Sequence, residues 1–391
     1  MTALRSATLV STLPLVAGLG MVVTTAWLVA RKLAPPTVTG LVLAAYLLGF
    51  AEIVAVTLLL SVANSVRDWT VLAGLAVVLV AARLAFGSWR TAPQGSLLEA
   101  LTRARSAFRD PVLGVLGIAV GAGLAYSAAL AVFTPPNDWD AMAYHLARAA
   151  FWMQQQAVAY VPESPVAMIN AYPPNAEIGA LFTMLLSDGD RYVGLVQYAA
   201  LSATAIATYG ISCRVGFGRR AALFGAMVLL TTPVVVLQGS TALNDLVVAS
   251  FLCAATYFLL GETRQEFALG ALALALAVGT KFTALIALPL VALVVLARQP
   301  RRQWPRLALA GVAGVALGSY WLVVNLLATG SLDGGAREQL DQDPVWSLQA
   351  VLARVTRLLI SFADSLDVGR DELLYALSAA AFVLILALWF S

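Results

Sequence analysis

Apolar runs long enough to cross a bilayer recur along almost the whole chain. They fall at about 8–30, 39–63, 69–86, 111–133, 191–213, 220–238, 246–260, 267–280, 282–297, 306–328 and 373–391. A helical span needs roughly 20 predominantly apolar residues, so most of these runs have no soluble alternative. Of the 391 residues, 61% are hydrophobic and 12% charged. Soluble domains sit near about 45–50% and about 25%, so a water-soluble core could not hide this much apolar surface. The expected fold is all-α, a polytopic transmembrane helical bundle of about eleven spans, with lipid as the solvent for most of it. The run from Leu9 to Ala30 is read as a span and not a signal peptide, being too long for the apolar core of one and followed by Arg31 and Lys32.

Sidedness follows from the basic residues. Arg31 and Lys32, the arginines from Arg83 to Arg109, Arg214 with Arg219 and Arg220, Arg264, and Arg298 to Arg306 all alternate onto one face. Only Glu99, Asp110, Glu262 and Glu266 oppose them there. That face should be cytoplasmic, which places two long acidic loops, at about 134–190 and 329–372, outside. The last run ends without a basic anchor, so a further C-terminal part is expected. Three regions result: 1–110, an N-terminal extension of three spans; 111–330, a transmembrane core with the outer loop 134–190; and 331–391, a second outer loop and final span.

Net charge is only +3 and is spread out, which argues against a nucleic-acid partner. Cys213 and Cys253 lie inside apolar runs, where a disulfide is not expected. His145 is the only histidine, which excludes a histidine-cluster metal site.

The outer loop carries the densest polar chemistry. Pro135 and Pro136 end a span, and Asp138, Trp139 and Asp140 follow at the membrane boundary. Met142, Leu146, Ala149, Ala150 and Met153 then recur at three- and four-residue spacing, predicting a short amphipathic helix on the membrane surface with His145, Arg148 and Gln155 among them. Beyond it, Tyr172-Pro173-Pro174-Asn175-Ala176-Glu177 leads into an apolar segment that re-enters the bundle. Further on, Asn244 and Asp245 open a span at its outer end, where a helix N-cap alone would explain them. Sharing a cavity with the loop carboxylates is the functional alternative. Lys281 is one of two lysines in the chain and interrupts a run otherwise apolar from Ala268 to Ala297. An ionisable residue there is expensive unless it snorkels to the interface or binds something, such as a lipid phosphate. Glu52 is the one acidic residue placed in mid-membrane, with no role assigned.

The ordered series Asp-Trp-Asp-Ala-Met-Ala-Tyr-His-Leu-Ala-Arg (138–148), Tyr-Pro-Pro-Asn-Ala-Glu (172–177), Asn-Asp (244–245), Gly-Thr-Lys-Phe (279–282) and Trp-Leu-Val-Val-Asn (321–325) resembles the GT-C membrane glycosyltransferases. Within them it is most similar to the branch near protein O-mannosyltransferases and aminoarabinose transferases. The likeness covers about 111–330 and rests on order and shared sidedness, since no single motif is diagnostic. The three preceding spans depart from the commonest layout.

The resemblance implies transfer of a sugar from a polyprenyl-phosphate carrier to a glycan, lipid or protein acceptor, with inversion, on the extracytoplasmic side of a bacterial inner membrane. Asp140 is then the expected general base, with Asp138 second. Lys281, helped by Arg148, is expected at the carrier phosphate. Asp245, Asn244, Tyr172, Glu177 and His145 are expected around the sugar and acceptor. Some such enzymes use a divalent metal; with few ligands beyond Asp138, Asp140 and Asp245, the expectation here is no cofactor. Two rival readings remain, a transporter or flippase for a lipid-linked or polar substrate, and a carrier-dependent polysaccharide polymerase or ligase. Against the first, the polar residues gather at one face and no internal repeat is visible.

Overall fold

The computed structural model describes residues 2–33, 35–86, 102, 105–162, 164 and 166–335. The expected final span at 373–391 and most of the second outer loop lie outside these residues. Among the described residues every regular element is helical.

Three long helices come first: α1 (Thr2–Leu33), α2 (Val38–Val62) and α3 (Asp68–Phe86). They pack on one another and are followed by α4 (Pro111–Phe133). Asp110 caps α4 by accepting from the backbone N–H groups of Val112 and Leu113, and Pro111 fits the first helical position. The outer segment holds a single π-turn (Ala141–His145), α5 (Leu146–Gln155) and the short α6 (Ala167–Ala171). Then come α7 (Asn175–Ser187), α8 (Gly194–Arg214), α9 (Arg219–Leu229), α10 (Pro233–Gln238), α11 (Asp245–Leu259), α12 (Arg264–Val278) and α13 (Thr283–Arg298). A 3₁₀ turn (Arg301–Gln303) leads to α14 (Trp304–Gly318) and α15 (Tyr320–Thr329).

Among the described residues four helices, α1 to α4, are long and apolar enough to cross a membrane, and α14 with α15 forms a fifth candidate bent by 44°. The remaining apolar runs are shorter, broken or, for the 21-residue α8, less apolar. The run expected at 220–238 divides into α9 and α10 at Thr231-Thr232-Pro233, because proline cannot donate to the preceding turn. The pair expected to meet at Lys281 is present as α12 and α13, joined by Gly279-Thr280-Lys281-Phe282. The segment predicted to re-enter the bundle is α7, whose side chains are buried almost throughout. It lies against α1, α2 and α5, inside the molecule.

The amphipathic helix is α5, and the partner of its apolar stripe is protein. Its apolar face, Leu146, Ala149 and Trp152, is buried against α7. Periodicity identified the stripe and not its partner. The loop that follows is tied to the α2–α3 turn. Gln156, in the left-handed conformation at the end of α5, accepts from Arg67 at 2.8 and 2.6 Å, and its carbonyl accepts from Val66.

Small residues set the contact between α12 and α14. A Cβ on Gly314 would lie 2.7 Å from the Ala271 carbonyl oxygen, and one on Gly318 2.5 Å from that of Ala275. Spacing small residues four apart lets two backbones approach closely where lipid offers no hydrophobic drive. Gly318→Val should therefore separate the helices and cost about 1–3 kcal/mol by overpacking. The check is a lower thermal midpoint in detergent, with Ala313→Val on the same helix as control.

Candidate functional site

The end of the bundle that holds the 134–174 segment also holds the start of α11 and the α12–α13 junction. Asp140 stands there, exposed, immediately before the π-turn, with half-buried Asp138 and exposed Trp139 and Met142 beside it. Exposed aromatic and thioether groups flanking a carboxylate suit the membrane boundary. The π-turn brings Tyr144 and His145 to the buried side together. Burial first, and then the neighbouring Asp140 carboxylate, push the Tyr144 phenol well above its ordinary value. Tyr172 is likewise raised, by burial and then by the charge of Asp140.

These two rings form a floor. Tyr144 meets Tyr172 edge-on with centroids 5.6 Å apart, and Tyr172 meets Phe282 edge-on at 6.0 Å. Phe282 follows Lys281, so the aromatic contacts run from the carboxylate of the loop to the lysine of the α12–α13 junction. Lys281 Nζ donates to Asp245 Oδ1 at 2.5 Å, and Gln238 Nε2 donates to Asp245 Oδ2 at 2.8 Å. Both members of the pair keep part of their surface open, 28% for the Lys281 side chain and 45% for that of Asp245. An ammonium has three N–H donors, so two remain after the bond to Asp245.

Asn244 and Asp245 are not the cap that their sequence suggests. Gln197, fully buried on α8, accepts the N–H groups of Leu246 and Val247 at 2.9 and 3.2 Å. Its amide nitrogen holds Thr241 Oγ1 at 3.1 Å, which pins the chain entering α11. Asn244 is buried, and neither its Oδ1 nor its Nδ2 has a partner among the described residues.

Three of the expected ligands sit beneath the floor and not on it. His145 Nδ1 and Glu177 Oε1 lie 2.5 Å apart, both buried, while Glu177 Oε2 has no partner among the described residues. Burial pushes the Glu177 carboxyl up, but the His145 bond and the charges of His145 and Arg148 outweigh it and hold the pKa below the usual value. Arg148 is buried as well. Its guanidinium is walled in between the indoles of Trp152 and Trp321, 4.6 and 4.8 Å from the ring centroids, and donates to the Tyr172 carbonyl at 2.7 Å. Burial lowers its pKa to about 10, partly offset by Glu177. Arg148 therefore positions Tyr172, and with it the floor next to Asp140.

α15 closes the same layer. Trp321 Nε1 donates to the Asn170 carbonyl at 2.7 Å, Asn325 donates to the Ala171 carbonyl at 2.8 Å, and Tyr160 donates to Asn325 at 2.7 Å. The sequence shows Trp321 and Asn325 as a motif without a role and places Tyr144 and Phe282 within motifs, but none of its motifs includes Gln197 or Gln238. For the two glutamines a signal existed, since an amide inside an apolar run is costly unless it bonds something. Glu52 is elsewhere, buried where α2 packs near Thr25 of α1. Among the described residues no group of three or more His, Cys, Asp or Glu side chains is placed to hold a metal ion.

Residues 173–326 match the family described as dolichyl-phosphate-mannose-protein mannosyltransferase. That match supports a GT-C-like membrane glycosyltransferase. It takes in Glu177, Asn244, Asp245, Lys281 and the α15 strap, covers less than half of the chain, and begins after the Asp138–Asp140 loop. No curated protein and no solved structure shows significant similarity to the chain.

Two outcomes follow from this geometry. Because Gln197 does the capping, Asn244→Ala should leave thermal stability unchanged, whereas Gln197→Ala should lose about 0.5–2 kcal/mol; thermal midpoints of the two purified variants decide it. Glu177→Ala strands a buried histidine and arginine and should cost about 3–5 kcal/mol at neutral pH. A depressed carboxylate pKa contributes stability that is complete above the ordinary carboxylate range and disappears as the pH falls through the folded value. Glu177→Gln should therefore flatten the acid limb of a stability-against-pH curve.

Proposed function

We propose that the chain transfers a sugar from a polyprenyl-phosphate carrier to a hydroxyl acceptor at the extracytoplasmic surface of a bacterial inner membrane, with inversion at the anomeric carbon. The observation that carries this reading is the continuity of Asp140, the Tyr144–Tyr172–Phe282 floor and the Lys281–Asp245 pair along one end of the bundle.

Asp140 is the base. Its carboxylate takes the proton of the acceptor hydroxyl while that oxygen forms the new bond to the anomeric carbon. The bond from that carbon to the phosphate oxygen breaks on the opposite side, and the electron pair leaves with the carrier phosphate. Tyr144 stands beside Asp140, and the exposed carboxylate stays open to the acceptor. Asp138, next in line, stands beside it at the entrance. Lys281 offsets the charge that grows on the departing phosphate, using the two N–H groups Asp245 does not occupy. Asp245 and Gln238 fix the direction of the ammonium. The buried Asn244 amide, unused by the helix start, is uncommitted beside Asp245. Tyr172 supplies the apolar face on which a sugar ring can rest.

The basic residues on the opposite end of the bundle support the stated orientation. The spans beyond the five candidates would come from α8, from the shorter helices α9–α10, α11, α12 and α13, and from the final run at 373–391, giving about eleven.

The test is turnover of a panel of radiolabelled polyprenyl-phosphate sugars by protein in nanodiscs, followed as carrier hydrolysis and as transfer to a crude envelope acceptor. Asp140→Asn should lower kcat by about 10²–10⁴-fold while leaving donor binding intact, as loss of a general base does. Lys281→Ala should instead weaken the binding of the carrier phosphate. Full activity in Asp140→Asn would remove it as the base. Binding and movement of a carrier without cleavage would favour a flippase.

A further inference from the structure

A large cavity lies at the other end of the bundle. It occupies about 1050 Å³ between α2, α4, α8 and α9. Gln197, beside Asp245, and Arg214, at this cavity, are both on α8, about 25 Å apart along the axis at 1.5 Å per residue. The cavity is thus remote from Lys281 and belongs to the opposite membrane boundary.

Its walls and mouth differ in character. In depth it is lined by Leu113 and Val120 of α4, Ala205 and Ile206 of α8, and Met227 and Leu230 of α9. At the mouth stand Arg214, Arg219 and Arg220. Arg214 is committed to Glu266 and lies over the Tyr257 ring, 4.0 Å from its centroid. Arg220 donates to Asp110 at 2.7 Å. Arg219 is exposed and neither acid reaches it, so the mouth keeps a net positive charge. The hydroxyls of Thr37 and Tyr257, bonded to each other at 2.7 Å, mark the boundary between the polar mouth and the apolar interior.

An apolar slot that opens through an arginine-bearing mouth at a membrane boundary is complementary to a molecule with an anionic head and a hydrocarbon tail. We propose that this cavity is a binding site for an anionic phospholipid of the adjacent leaflet, its phosphate at Arg219 and Arg220 and one acyl chain between α4 and α8. Such lipids surround the protein, and a juxtamembrane arginine attracts them. A carrier lipid serving the distant Lys281 has its own phosphate at the other boundary. The site would hold α4, which rests mainly on α8 and the α9–α10 pair, against the rest of the bundle.

Cys213 lines this cavity and provides the readout. In a Cys253→Ser background, labelling of Cys213 by a small maleimide is followed in detergent as phosphatidylglycerol, phosphatidylcholine or polyprenyl phosphate is added. Phosphatidylglycerol should slow labelling by about tenfold at saturation, the factor that about 90% occupancy gives, and phosphatidylcholine should not. Arg219→Glu should raise the phosphatidylglycerol concentration needed by about fivefold or more, the worth of one basic residue at a charged lipid surface. Ala226→Phe, which fills the slot from α9, should abolish protection without touching the charge. Size-exclusion profiles confirm that each variant is folded, and Arg219→Gln replaces Arg219→Glu if the latter aggregates. Equal protection by phosphatidylcholine, protection by polyprenyl phosphate at lower concentration than phosphatidylglycerol, or no protection at all would each overturn the proposal. None of these outcomes depends on transferase activity.

Discussion

Asn175 is where the end of the bundle that carries Lys281 is tied together. Its backbone N–H donates to the Gly279 carbonyl at 2.9 Å, its amide donates to the Leu276 carbonyl at 3.1 Å, and its amide oxygen accepts from Tyr320 at 2.9 Å. Three segments far apart in sequence, the start of α7, the end of α12 and the start of α15, are joined through one side chain. The approach is so close that a Cβ on Gly279 would lie 2.4 Å from the Asn175 amide nitrogen. Helix ends leave carbonyls unpaired, and where water is scarce each must find a donor. Asn175 is that donor for α12. The turn that carries Lys281 follows directly, so the position of the ammonium depends on this junction.

The layer above is organised around a buried cation. Arg148 places a full charge in a space walled by two indoles, where the π faces and the nearby Glu177 offset the loss of water. A neutral side chain of the same shape could fill that space, but it could not hold the Tyr172 carbonyl in the same way. Polar residues in this protein thus divide into two populations. One is sealed beneath the aromatic floor and sets geometry. The other, Asp140, Asp245 and Lys281, keeps contact with solvent.

The sequence made that division only partly readable. Membrane-spanning length, helix type and the sidedness of basic residues are properties of composition over long windows, and α1 to α4 fall where those windows put them. The chemistry-bearing residues are also visible, because Asp140, Asp245 and Lys281 are conspicuous in apolar surroundings. Depth is what the sequence hides. His145, Arg148 and Glu177 look no different from Asp140 along the chain. Whether such a residue faces solvent or another helix is decided by partners more than twenty residues away, such as Trp321 over Arg148. The amphipathic stripe of α5 had the right period and the wrong neighbour for the same reason. The N-cap reading of Asn244-Asp245 failed because a local rule was satisfied by a distant side chain, Gln197.

That substitution of one cap for another separates two constraints that a helix start usually combines. In most helices the residue at the boundary must both satisfy the first backbone amides and present whatever chemistry the position requires, so it can change little. Here α8 carries the structural duty. Positions 244 and 245 are consequently released from satisfying the first backbone amides of α11, and a change at either can alter the surroundings of Lys281 without unmaking the helix start.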